Sequence, residues 1–305
     1  MAKRTKGTVG VVGLGTMGGA FARHLAAAGW RVLGFDIDAT RKRAAARAGV
    51  AITPLETLAA AAPVIILSLP NPQALDATVA AITRQQLSRK IVVEASTFKL
   101  EDKERAEAAL RKAGHAMLDC PVSGTGAQAA VKDIVIYASG DAEAIAKTTR
   151  IFSDFSRATY NAGAFGNGSR MKYVANLLVT VHNVAAAEAM VLGIKSGLDP
   201  QMIYDFVRTG AGASRVFELR GPMMVRDRYD DASMTIKLYH KDIAVIEDHA
   251  ARLGVPTPLF SASIPVYSAA LSMGYGEEDT ASVCAVLQTM AGVRRDKPGR
   301  RAKRR

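Results

Sequence analysis

Short apolar runs alternate with longer stretches of helical period through the first half of the chain. Residues 8–12, 31–35, 64–69 and 91–95 read as strands, apolar at consecutive positions and so covered on both faces. Residues 19–28 and 100–113 read as helices between them. The alternation continues with a strand from Met117, further strands at 134–138 and 158–160, and a helix over 142–152. Such an order predicts parallel βαβ units, a doubly wound sheet with helices on both faces. A long helix then opens at Gly166 and runs to about Gly197. Leu177, Leu178, Val181, Val184, Met190, Val191 and Ile194 spread around its circumference, which predicts cover by protein. Asn176, His182, Asn183 and Glu188 interrupt the apolar run and argue against a membrane span. Beyond Gly197 only helical patterns remain, with Asp199-Pro200 as a helix start and helices at 241–253, 259–273 and 279–290.

The first strand leads directly into Gly13-Leu14-Gly15-Thr16-Met17-Gly18. A GxGxxG alone is a weak signal, but between a strand and a helix it is the dinucleotide fingerprint. Gly13 makes the tight turn, Gly15 lets the backbone approach a pyrophosphate, and Gly18 lets the helix pack on the strand. The second strand ends on Asp36, about 20 residues on, where a carboxylate accepts from the ribose hydroxyls and repels a 2'-phosphate. NAD is therefore favoured, with NADP kept open by Arg41, Lys42 and Arg43, which otherwise form the solvated face of the next helix. Ligands of such sheets lie beyond the carboxyl ends of the strands, making Leu69, Pro70, Ser96 and Thr97 candidate cofactor contacts. The fold expectation is an α/β Rossmann-type domain over 1–165 and an all-α domain over 166–293, to which the resemblance given below adds a substrate-binding and oligomerisation role. The long helix joins them, and a basic, disordered tail occupies 294–305.

At 305 residues there is room for two domains. The net charge of +12 sits mostly in the ends, with eight basic side chains against one acid in 294–305 and Lys3, Arg4 and Lys6 at the start. The body is close to neutral and has no aromatic interleaving, so a nucleic-acid partner is not expected. Cys120 and Cys284 are far apart, and His24, His115, His182, His240 and His249 have no ligand spacing, so no metal is expected. A strand follows the first few residues without a leader-like segment, and a cytoplasmic location is expected.

Lys172 and Asn176 stand four residues apart at the start of the long helix, which puts an amine and an amide on one face. Asp119-Cys120-Pro121-Val122-Ser123-Gly124-Thr125 is a strand ending in a small-residue loop, whose backbone N–H groups and Ser123 hydroxyl suit a carboxylate. His240-Lys241-Asp242-Ile243 places a second lysine near the start of a later helix.

With these motifs in this order, residues 8–292 resemble the β-hydroxyacid dehydrogenase family, of which 3-hydroxyisobutyrate dehydrogenase and tartronate semialdehyde reductase are member types. The resemblance rests on Gly13 to Gly18, Asp119 to Gly124, Gly166 to Asn176, and Lys241-Asp242. It implies Lys172 as general acid/base, Asn176 as its support and a substrate contact, Ser123 and Gly124 on the substrate carboxylate, and Lys241 near the nicotinamide. Thr125 replaces the family's usual second glycine, which touches the shape of the substrate loop. Hydride transfer between NAD(P) and a small 3-hydroxy acid of the 3-hydroxyisobutyrate type, or its semialdehyde, is the implied reaction. Dimers or tetramers are implied too, in line with the apolar helical second half. An imine reductase on the same scaffold is the first alternative, and Lys172 counts against it. The second is a non-catalytic dinucleotide-binding protein with polyanion-binding tails.

Overall fold

The computed structural model describes residues 5–295. Lys3, Arg4 and most of the tail expected at 294–305 lie outside the described residues. Two compact units divide between Tyr173 and Val174, inside the long helix.

The first unit opens with β1 (Thr8–Val12), α1 (Thr16–Ala27), β2 (Arg31–Phe35), α2 (Ala39–Arg47), β3 (Ala51–Ile52) and α3 (Leu55–Ala61). It continues with β4 (Val64–Leu67), α4 (Pro72–Thr83), β5 (Ile91–Glu94), α5 (Leu100–Lys112) and β6 (Ala116–Asp119). It is completed by β7 (Val122–Ser123), α6 (Gly126–Ala130), β8 (Val135–Gly140), α7 (Ala142–Ser153), β9 (Ala158–Asn161) and the first turns of α8 (Asn167–Lys195). The strand order is β3-β2-β1-β4-β5-β6-β8-β7, with β9 on β8. β3 through β6 are parallel in the expected doubly wound manner. At β8 the parallel expectation gives way, because β8 runs antiparallel to β6 and β7. The connection from β6 holds β7 and only the short α6, too little helix to cover a sheet face and return the chain parallel.

Side-chain alternation explains why the strands are apolar throughout. Val9 and Val11 of β1 and Val64 and Ile66 of β4 enter one core with Phe21, Phe152 and Phe155. Val12, Ile65 and Leu67 enter the other with Leu58, Phe98 and Leu110. Successive residues change face, so with both faces covered the strands are apolar at nearly every position, the buried carboxylates closing β5 and β6 excepted.

The second unit holds the rest of α8, then α9 (Pro200–Val207), α10 (Arg215–Arg226), α11 (Ile236–Leu253), α12 (Pro258–Ser272) and α13 (Val283–Met290), the last preceded by a 3-10 turn, Thr280–Ser282. Asp199 caps α9 as expected, accepting from the Met202 N–H at 3.0 Å. Two helices differ from expectation. α11 begins at Ile236 rather than 241, because Thr235 caps it through the Leu238 N–H, and Lys241 therefore stands in its second turn. α10, with Pro222 inside it, is capped by Ser214 and has a surface too mixed in polarity to stand out in the sequence. At its far end Arg295 donates to the carbonyls of Met224, at 2.6 Å, and Val225.

By length and composition α8 is apolar enough to cross a membrane. Its buried polar residues are instead bonded to protein, as Thr180 to Tyr239 at 2.9 Å and Asn183 to Tyr267 at 2.9 Å.

Phe155, 2% exposed, stacks on Phe21 with ring centres 4.6 Å apart. Phe155→Ala is expected to lower the unfolding free energy by about 3 to 5 kcal/mol in urea denaturation.

Candidate active site

The glycine-rich turn has the shape its sequence predicts. Gly13 has φ +87°, and a Cβ there would lie 2.1 Å from the Ser68 carbonyl oxygen. A Cβ at Gly18 would lie 1.9 Å from the Gly13 oxygen, so β1 and α1 meet backbone to backbone. At Gly15 the nearest group to such a Cβ is the Arg41 guanidinium at 3.7 Å, and the first turn of α1 has no side-chain cap. Its N–H groups thus face an open cradle that fits a pyrophosphate. Arg41 stays more than half exposed, in keeping with a solvated face of α2. It turns back over Gly15 to within 3.8 Å of Asp36.

Asp36 is buried and already holds the turn in place. Its Oδ2 accepts from the Leu14 N–H at 2.7 Å and its Oδ1 from the Asp38 N–H at 2.8 Å. Each carboxylate oxygen keeps a second lone pair for a ribose hydroxyl. Leu69 and Pro70 follow β4, and Thr97 follows β5, half-buried. Ser96 ties the ends of β4 and β5 together. Its hydroxyl accepts from the Leu69 N–H at 2.8 Å and its N–H donates to Glu94 at 2.8 Å.

At the carboxyl ends of β5 and β6 lies an arrangement that the sequence reading missed. Lys103 of α5 is 0% exposed and reaches Glu94 at 2.6 Å, Asp119 at 2.8 Å and the Ser96 carbonyl at 2.6 Å. Burial alone would lower its pKa, but the Asp119 and Glu94 carboxylates outweigh burial and raise it, so the amine stays charged. Asp119 in turn takes hold of the start of α8. It accepts from the Ser169 N–H at 2.7 Å and the Ser169 hydroxyl at 2.8 Å. The Gly168 N–H donates to the Ser139 hydroxyl at 3.0 Å, and that hydroxyl donates to the Asp119 carbonyl at 3.0 Å. A Cβ at residue 168 would lie 2.4 Å from the Tyr137 oxygen, so only glycine admits this approach.

Lys172 is one turn further on and 8% exposed. Next to it the Tyr173 hydroxyl donates to the Phe98 carbonyl at 2.5 Å, and burial pushes that phenol well up. Tyr173 is therefore a fixed donor near neutral pH. Cys120, fully buried, is likewise pushed up and stays a thiol.

In the substrate loop expected at Ser123, Gly124 and Thr125, Gly124 has φ +136° beside half-buried Ser123. Thr125 caps α6 in a reciprocal box, its hydroxyl accepting from the Gln128 N–H at 3.4 Å and its own N–H donating to the Gln128 side chain at 3.0 Å. That local role explains a threonine where the resemblance calls for glycine, and it takes the Thr125 N–H out of the set offered to a carboxylate.

In the second unit, Asn176 is buried and donates to Asp242 at 3.0 Å. Lys241, about 40% exposed, lies 3.8 Å from the other oxygen of Asp242. Asp242 thus joins Asn176 and Lys241, two of the expected site residues. The Tyr239 hydroxyl donates to the Asn176 carbonyl at 3.0 Å. Among the described residues no cluster of His, Cys, Asp and Glu is arranged to hold a metal ion.

Comparison with known proteins bears on the same residues. The family model for the NAD binding domain of 6-phosphogluconate dehydrogenase matches residues 8–164. That for the NAD-binding domain of NADP-dependent 3-hydroxyisobutyrate dehydrogenase matches 166–287. An L-threonate dehydrogenase of Cupriavidus necator is 33% identical over 92% of this chain and 95% of its own length. An NAD-dependent L-serine dehydrogenase of Pseudomonas aeruginosa is 29% identical over 93% of this chain and 99% of its own. The crystal structure of a 3-hydroxyisobutyrate dehydrogenase from Salmonella typhimurium superposes with a TM-score of 0.82, at 29% identity over 92% of this chain and 99% of the other.

Asp36→Ala is expected to weaken NADH binding by about tenfold, ~1.4 kcal/mol, and to narrow the preference for NADH over NADPH in fluorescence titrations. Unchanged discrimination would place the ribose away from Asp36.

Proposed function

Because this chain belongs to the β-hydroxyacid dehydrogenase family, a family of NAD(P)-dependent enzymes acting on CH–OH groups, we propose that it oxidises a small hydroxy acid with Lys172 as general acid/base. The observation that carries this reading is the place of Lys172, buried one turn beyond the point where α8 is fastened to the end of β6. The fit of the cofactor rests on the open cradle at Gly15 and on the close contacts at Gly13 and Gly18. Held by that turn, a nicotinamide cofactor would supply the hydride acceptor for the carbinol carbon.

The chain's own residues handle the proton and the carboxylate. As a neutral amine Lys172 takes the hydroxyl proton while the carbon–oxygen double bond forms, and as an ammonium it returns that proton in the reducing direction. Asn176, its amide turned by Asp242, supports the same substrate oxygen one turn along α8. Ser123 and Gly124 hold the carboxylate. The Asp119 and Glu94 carboxylates hold Lys103 in its charged form and burial pushes the Tyr173 phenol up, so Lys172 suits proton transfer better than either.

L-Threonate is the first substrate to offer, because relatives that cover nearly the whole chain are named for it. 3-Hydroxyisobutyrate, 3-hydroxypropionate, glycerate and serine complete the panel. NADH or NADPH formation with one of them supports the reading, and silence across the panel with cofactor still bound removes the hydroxy-acid substrate. Self-association belongs to the same reading. Phe206, Leu238 and Leu259, exposed by 71%, 64% and 70%, suit burial against a second copy, and light scattering at a dimer or tetramer mass checks it.

Lys172→Ala is expected to cut turnover by about two orders of magnitude or more, the scale of a lost general acid/base, with NADH binding nearly unchanged. Near-normal turnover would remove Lys172 from the reaction.

A further inference from the structure

We infer that the buried group of Lys103, Glu94 and Asp119 is a positioning device for Lys172, beyond any part it has in holding the fold. The inference rests on the proposed role of Lys172 and adds residues that touch neither substrate nor cofactor.

Three observations carry it. The group is dry, each side chain being 0% exposed, and it contains two carboxylates for one ammonium. The surplus negative charge is met by N–H groups, the Ser96 N–H on Glu94 and the Ser169 N–H on Asp119. One of these donors belongs to the first turn of α8, where the helix dipole also favours an anion. Asp119 therefore does from another strand what a local cap does for other helices of this chain. The second observation is that α8 cannot take up the approach elsewhere, since Gly168 seats its backbone against the Tyr137 and Asp119 carbonyls. The third is spacing. Lys172 is three residues after Ser169, so its Cα moves with the bonded turn, and the adjacent Tyr173 is bonded to Phe98 at 2.5 Å in the segment after β5. Lys103 also holds the Ser96 carbonyl at 2.6 Å. A single ammonium thereby sets the loop after β5, the end of β6 and the turn that delivers Lys172.

A purely structural group and a positioning group differ in what their loss changes. Asp119→Asn keeps the shape and removes one charge, and Ser169→Ala removes one bond to Asp119 while leaving the backbone bond. The full-length variants are to be read in two ways. The first is acylation of Lys172 by acetic anhydride across pH, followed by peptide mass spectrometry with exposed Lys112 as internal reference. The second is kcat and KM on whichever hydroxy acid of the panel the wild type uses, alongside NADH affinity.

The expected result is an altered rate and pH midpoint of Lys172 acylation, with kcat lower by about tenfold or more, as misplacement of a reacting group gives. NADH affinity stays within about twofold in the same variants. A lowered melting temperature with the Lys172 acylation profile and kcat of wild type would overturn the inference and leave a structural group only. If Asp119→Asn does not fold, Ser169→Ala carries the test alone. The acylation readout needs no turnover, so it stands or falls separately from the hydroxy-acid reading.

Discussion

A lysine with no exposed surface, held between two carboxylates, is the constraint on which the first unit depends. Burying three charges is costly, and removing one partner of such a set typically costs ~3 to 5 kcal/mol because it strands the others. An apolar set of similar volume is often as stabilising as such an ionic one. It would not choose one arrangement of the strand ends, whereas hydrogen bonds of fixed length and direction do. The choice extends from Lys103 through Asp119 to Ser169, and so to the first turn of α8.

A second set of polar contacts works in the helical unit. Asn176, Thr180 and Asn183 recur along α8 at helical spacing, and each is buried and bonded to a side chain of α11 or α12. Asp242 fixes the amide of Asn176, and the Tyr239 hydroxyl takes its carbonyl. The same helix is thus fastened by Gly168 and Ser169 of its first turn to groups of the first unit, and its asparagine is held by a group of the second. Apolar residues cover α8, while these polar ones set its rotation about its own axis.

Much of this was legible in the chain itself. Glycine spacing between a strand and a helix located the phosphate turn, because a strand, a tight turn and a close backbone contact each require a distinct residue type at Gly13, Gly15 and Gly18. That Lys172 and Asn176 lie one turn apart on a single helix was legible from helical period alone. Lys103 was not. It sits in the densely charged run 99–107, where a lysine reads as solvated, and Glu94 ends a strand with nothing local to reveal its partner. Thr125 carried a readable signal, since Thr125 and Gln128 have the spacing of a capping box. Asp36 was placed correctly at the end of β2, but its bonds to Leu14 and Asp38 depend on a fold of the turn that no local pattern specifies.

The measurement that tests the central claim most directly is the pH dependence of kcat/KM in both directions, for the wild type and for Lys172→Met. A base in oxidation must be neutral and an acid in reduction must be charged, so the oxidation rate should rise with pH and the reduction rate fall through the same midpoint. The account predicts that both inflections disappear in Lys172→Met, while NADH still binds. The same inflections in the variant would mean that another group carries the proton.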